Sequence, residues 1–385
     1  MLPVRGAAVE AAVRIAGDRS NEMSHIMTEH EHFHGRVEDR RLVTGRGRYT
    51  ADWTAPDMVH AVFLRADRAH ATIRGIDTTA ARAHPGVLGV FVAADFADER
   101  IGEFPLMGAF DNGRDGKPLL RTARGILASD RVRFVGDPVA LVVAATAQTA
   151  ADAAELIAVD YADLPVVATP EDALAPGAPQ LHANIPGNVC FEGVSGDEAK
   201  VAAAFAQAAH VTRLTVRSDR LVGNPMEPRA CLARYDAASG IYHVHTPTQG
   251  VIPMRRQLAN LVGVAEDKVR IDTRDVGGSF GIRSNAYPEY PVIMLAAKRL
   301  GRPVKWTATR SECFLTDNQG RAVIASGELA LDRDGRFLAA RYTFIVDLGA
   351  YQGPTGAFSS NNNLFHCAAG VYRTGQAVLI TQGRQ

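Results

Sequence analysis

The chain has 385 residues, with 42 lysines and arginines against 42 aspartates and glutamates, and a pI near 7.2. That length allows two or three domains with ample core, and the charge balance gives no electrostatic reason to expect nucleic acid or an anionic membrane as partner. Cys190, Cys231, Cys313 and Cys367 form no C-x-x-C pair, and no apolar run approaches the roughly 20 residues that span a bilayer, so the reading is of a soluble, cytoplasmic protein with reduced thiols.

Residues 1–34 read as a disordered leader. Arg5, Arg14 and Arg19 lie among alanines and valines without the uninterrupted apolar segment of a secretory signal, and Arg40-Arg41 precedes no such segment either. A start at Met23 or Met27 accounts for the leader best. Its end, His30-Glu31-His32-Phe33-His34, contains H-E-x-x-H. On a helix, His30 and His34 would share one face and could bind zinc, with Glu31 as general base. Gly35 follows at once and no amphipathic helix surrounds the motif, so a zinc hydrolase stands only as an outlying alternative to a surface tract.

Residues 35–161 read as a mixed α+β domain. Strands are expected at 58–64, 71–76 and 87–92 with a short helix at 78–84. A similar order recurs as strands at 131–135 and 139–144, an alanine-rich helix at 149–156 and a strand at 157–161. A loop rich in glycine and charge, 96–128, lies between them; long loops of this kind are usually functional or contact a neighbour. Pro165, Pro170, Pro176, Pro179 and Pro186 then mark 162–188 as a linker.

From residue 189 a second α+β region begins, with a helix at 197–209 and a strand at 211–216. Asn224-Pro225-Met226-Glu227-Pro228-Arg229 makes a rigid, charged turn. A strand at 241–245 runs into Thr246-Pro247-Thr248-Gln249-Gly250, so Gln249 sits at a strand end, where α/β sheets commonly form a ligand crevice. A neutral amide there can donate to an oxygen without adding charge. After a helix at 253–261, a strand at 269–274 leads to Asp275-Val276-Gly277-Gly278-Ser279-Phe280-Gly281. A helix follows, opened by Pro288 and Pro291 and stopped by Gly301, and Val304 begins another strand. Three glycines in five residues let the backbone approach a ligand closely, and a helix start beyond them offers free N–H donors. The spacing is not G-x-G-x-x-G, and the lysine of a phosphate-cradling loop is missing.

These motifs occur in one order with Gly35-Arg36-Val37-Glu38-Asp39-Arg40, Thr44-Gly45-Arg46-Gly47-Arg48-Tyr49, Arg133-Phe134-Val135-Gly136-Asp137-Pro138-Val139-Ala140 and Gly301-Arg302-Pro303-Val304-Lys305-Trp306. Together they resemble the molybdenum-binding large subunit of the xanthine dehydrogenase and aldehyde oxidase family, and more nearly its aerobic carbon-monoxide-dehydrogenase-like branch. The resemblance implies a hammerhead-type domain at 35–161, followed by the first part of a molybdopterin-binding α+β domain at 189–373. It implies molybdenum held by a pterin dithiolene in its cytosine dinucleotide form, with iron–sulfur clusters on a small partner subunit and FAD on a medium one. Gln249 matches the glutamine that hydrogen-bonds an oxygen of the molybdenum, and Gly277, Gly278, Ser279, Phe280 and Gly281 match the loop beside the cofactor. The implied reaction is oxidation of an aldehyde, a heterocycle or carbon monoxide with water-derived oxygen.

Two departures matter. Xanthine-oxidising members carry a glutamate four residues after the loop phenylalanine; here that residue is Ser284, and Glu289 is the next carboxylate. Residues 374–385 read as a divergent, poorly anchored tail, in a place where family members continue for several hundred residues. The expectation is therefore a truncated large subunit, incomplete without a C-terminal half that is separately encoded if the subunit is split, or else a non-catalytic remnant that only binds partner subunits. Phe344, Val346 and Leu348, with Phe358, Leu364 and Phe365, are expected to form an apolar surface left without its partner strands.

Overall fold

A computed structural model describes residues 35–106, 113–356, 367 and 370–372, together with the backbone of 376–384. The chain forms two compact units, up to Arg48 and from Tyr49 onward. In the first, α1 (Asp39–Val43) is a single helical turn without buried residues. His30, Glu31 and His34 lie outside the described residues, as do Phe358, Leu364 and Phe365.

The second unit begins with β1 (Val59–Arg65), β2 (Ala71–Asp77), α2 (Thr79–Ala83), β3 (Val87–Val92), β4 (Arg131–Val132), β5 (Pro138–Ala144), α3 (Ala147–Ala154) and β6 (Ala158–Asp163). After α4 (Pro170–Leu174) come β7 (Val189–Gly196), α5 (Glu198–Ala206), β8 (His210–Val222), β9 (Ala230–Asp236), β10 (Ile241–His245), α6 (Val251–Leu261) and β11 (Val269–Asp272). The last elements are α7 (Glu289–Leu300), β12 (Val304–Thr307), α8 (Arg310–Thr316), β13 (Gln319–Leu331), β14 (Phe337–Asp347) and β15 (Gln376–Arg384).

One seven-stranded mixed sheet, in the order β11-β10-β9-β12-β1-β5-β3, joins strands from both sides of the proline-rich stretch. β1 runs parallel to β12 and antiparallel to β5. Every residue of β5 is buried because both faces of the sheet are covered there. Leu141 and Val143 face the main core with Phe63, Trp306, Ile293 and Met294, while Ala140, Val142 and Ala144 meet the alanines of α3. A continuous apolar run is what such a two-sided strand requires. α7 is buried from Glu289 to Ala297 and ends at Gly301, whose φ of 62° is the left-handed C-cap expected there.

The remaining strands form a three-stranded sheet, β4-β2-β6, and a five-stranded sheet, β7-β15-β14-β13-β8. The second corrects the expected poorly anchored tail. β15 pairs in parallel with β14 and antiparallel with β7, so its backbone is held on both sides. The expected apolar surface changes with it: β14 has a partner on each side, and Val346 is buried. Among the described residues, no helix is long and apolar enough to cross a membrane.

Candidate functional site

The site is built where β10 and β11, parallel neighbours, both end. The Thr246–Gly250 segment leaves β10, the glycine loop leaves β11, and Thr273 Oγ1 donates to Thr246 O at 2.8 Å, tying the two exits together. Thr248 Oγ1 and the Gln249 backbone N–H both reach Arg283 O, at 3.1 and 3.2 Å. Gln257 of α6 completes the stitching, donating to Ser284 O at 3.1 Å and accepting from Ala286 N at 2.9 Å.

Gln249 is exposed, and its Oε1 accepts from Ser279 Oγ at 2.6 Å and from Ser284 Oγ at 2.9 Å. No acceptor among the described residues meets its Nε2. Beside it, Phe280 is 72% exposed with φ of 52°, a left-handed conformation that an aromatic residue rarely adopts. Gly281 follows with φ of 89°, and a Cβ placed on it would meet nothing within 4 Å. Backbone strain of this kind concentrates at functional sites.

Glu227 holds the loop from beneath. Buried, it accepts from Thr50 N at 3.0 Å and from Gly277 N at 2.9 Å, and its own N–H donates to Gly277 O at 3.1 Å. The approach is close enough that a Cβ on Gly277 would lie 2.5 Å from Glu227 Cβ, so glycine is required there. Arg283, 1% exposed, donates from Nη2 to Glu227 O.

The helix after the loop opens at Pro288, as the sequence suggested, and does not begin at the glycines themselves. A 3₁₀ turn at Ile282–Ser284 intervenes, and α7 begins only at Glu289. Glu289 is buried and receives Arg229 Nη1 at 2.8 Å and Arg65 Nη2 at 2.8 Å, so it is no free carboxylate for a substrate. Burial alone would push the Glu289 carboxyl up, but the two guanidinium groups outweigh it and bring the pKa down to about 2. Arg229, wholly buried, also pairs with Asp317 and stacks 4.0 Å over the Tyr287 ring. Asp317 has one such partner where Glu289 has two, and burial pushes its carboxyl up. This network fastens the 224–229 turn to α7 and α8.

The structure thus brings Gln249, Gly277, Gly278, Ser279, Phe280 and Gly281 into one place. Sequence reasoning missed the bonds made by Glu227 and Ser284. Glu227 stood in a motif but had no assigned partner, and Ser284 registered only as the lack of a carboxylate. Among the described residues, no group of three or more His, Cys, Asp or Glu side chains could hold a metal ion.

Residues 44–165 match the family model for the aldehyde oxidase and xanthine dehydrogenase a/b hammerhead domain, and residues 181–381 match that for the molybdopterin cofactor-binding domain. The second match runs into β15, past the residues at which the sequence motifs stop. The chain is 33% identical to the carbon monoxide dehydrogenase large chain of Hydrogenophaga pseudoflava, over 90% of this chain and 43% of that one. It is 35% identical to the nicotine 6-hydroxylase large subunit of Paenarthrobacter nicotinovorans, over 83% and 38%. The fold superimposes on quinoline 2-oxidoreductase from Pseudomonas putida 86 with a TM-score of 0.81 and 34% identity, covering 91% of this chain and 44% of that one. The chain spans less than half the length of these relatives. It belongs to the xanthine dehydrogenase and aldehyde oxidase family, carrying that family's a/b hammerhead domain and molybdopterin cofactor-binding domain.

Proposed function

We propose that this chain supplies one wall of a molybdenum hydroxylase site, in which an aldehyde, an aromatic heterocycle or carbon monoxide is oxidised with water-derived oxygen. The observation that carries this reading is the exposed Gln249 amide beside the strained Phe280–Gly281 step, with Nε2 free to donate. The residues fit a molybdopterin cofactor, which when bound supplies the two-electron oxidation. Gln249 donates to an oxygen of that group. It serves as an electrostatic brace and not as an acid or base, because a carboxamide does not titrate in the working range. Gly277, Gly278 and Ser279 keep the backbone in register, and Gly281 leaves room for close approach.

In this proposal the cofactor is the cytosine dinucleotide form. Electrons leave to an iron–sulfur small subunit and an FAD-binding medium subunit, in the cytoplasm. The rest of the site comes from polypeptide corresponding to the remaining half of the relatives, whether continuous with this chain or separately encoded. Residues 35–161 act as the hammerhead domain and 189–373 as the first part of the molybdopterin-binding domain, with 162–188 between them and one sheet shared by both.

The test is Gln249→Ala in the assembled enzyme. Turnover should fall about a hundredfold, the loss typical of removing one oriented donor, with molybdenum content changed less than twofold. Unchanged turnover would reject the assignment of Gln249, and an assembly that binds its partners but takes up no molybdenum would favour a non-catalytic family member.

A further inference from the structure

We infer that Ser279 and Ser284 are positioning residues that decide which end of the Gln249 carboxamide faces the open side of the site. The inference rests on the reading of Gln249 given above. The two ends of a carboxamide have opposite senses, since Oε1 only accepts and Nε2 only donates, whereas a serine hydroxyl can do either. Two observations fix the direction. The Ser279 contact, at 2.6 Å, lies within the O–H···O range and is short for N–H···O. Neither hydroxyl has another acceptor among the described residues, so donation to Gln249 Oε1 is the bond open to each proton. With Oε1 held twice, Nε2 is turned outward.

The backbone prevents the clamp from drifting. Ser284 is anchored through Gln257 of α6, and Gln249 through Arg283 O, so the serines and the amide belong to one stitched unit. Position 284 therefore does more than lack a carboxylate. A glutamate there could only accept, so the second of the two bonds to Oε1 would be lost and Ser279 alone would hold it.

Side-chain amide NMR on the glutamine-labelled chain tests this without any cofactor. The Gln249 signal is identified by its loss in Gln249→Ala. Outward Nε2 protons should exchange with solvent at nearly the rate of free glutamine, and the signal should move in both Ser279→Ala and Ser284→Ala. A bond from Nε2 to an acceptor would instead slow exchange about tenfold, the worth of one net hydrogen bond. Tenfold protection in the unsubstituted chain would show that the serines accept and would overturn the inference, as would a signal unmoved by either alanine. Ser279→Thr, which keeps the hydroxyl, should retain the original signal and separates loss of the bond from general disturbance. In the assembled enzyme, Ser284→Ala should lower kcat about tenfold at constant molybdenum content and do nothing further in a Gln249→Ala background. An unchanged kcat would overturn the positioning role, and if the NMR change were still present it would place the error in the reading of Gln249.

Discussion

Glu227 and Gly277 hold each other by two backbone-directed bonds: the Glu227 N–H donates to Gly277 O at 3.1 Å, and the Gly277 N–H donates to Glu227 Oε2 at 2.9 Å. The second carboxylate oxygen reaches Thr50 N at 3.0 Å, so one buried side chain ties the glycine loop to the turn before β1. The loop's shape is set by a residue fifty positions earlier, with Arg283 closing the contact from the other side.

Glu227→Gln should be costly although nearly isosteric. A glutamine accepts through one oxygen only, so its NH₂ must face the N–H of either Thr50 or Gly277. Leaving a buried donor unpaired in this way costs about 1–3 kcal/mol, read as a lower midpoint in urea. An unchanged midpoint would mean that the carboxylate does not hold the loop.

Much of this fold was legible in the sequence, and the reason is local. β5 announced itself as an unbroken apolar run, and α7 carried its own start and stop in Pro288 and Gly301. β8 was expected to end at 216 but continues to Val222, because its far half is arginine, serine and aspartate held by pairing with β13 instead of by burial. β15 was hidden for a related reason: its parallel pairing with β14 is non-local and leaves no mark on neighbouring residues. At the site, the glycines and Gln249 stood out, whereas the bond from Ser284 to Gln249 spans 35 positions and only the folded chain reveals it.

Asp137 gives a pH-dependent stability. Burial outweighs the guanidinium groups of Arg124 and Arg133 and raises its pKa from 3.8 to about 6. The folded state therefore holds the proton more tightly than the unfolded one. The stabilisation is complete below the unfolded value and is lost as the pH rises through about 6. Relative to wild type, Asp137→Asn should gain roughly 2 kcal/mol between pH 4 and pH 7, because each tenfold difference in proton affinity between the folded and unfolded states is worth about 1.4 kcal/mol and part of the difference is already lost at pH 4. A difference in unfolding free energy that stays constant over that range would contradict the raised pKa.

The five-stranded sheet presents an apolar face. Leu214 and Val216 of β8 are 66% and 50% exposed, and the register sets Val216 beside Ala325, which lies beside Phe344. Apolar patches of more than a few hundred Å² mark interfaces or aggregation-prone surface. The purified chain should bind an environment-sensitive dye, and Leu214→Ser with Val216→Ser should remove roughly half of that signal. A dye-silent monomer at high concentration would show this face to be covered.

The most direct test of the proposed site is molybdenum per chain by elemental analysis, with aldehyde oxidation assayed on the same samples. The 385-residue chain alone should be compared with the chain co-expressed with polypeptide matching the relatives' remaining half and with iron–sulfur and flavin subunits. Catalytic groups must sit within a fraction of an ångström of productive geometry. Each 1.4 kcal/mol of lost cofactor contact costs about tenfold in affinity. The account predicts little molybdenum and no sustained turnover from the chain alone, and about one molybdenum per chain with turnover in the assembly. Near-stoichiometric molybdenum with sustained turnover from the chain alone, or no molybdenum in either sample, would contradict it.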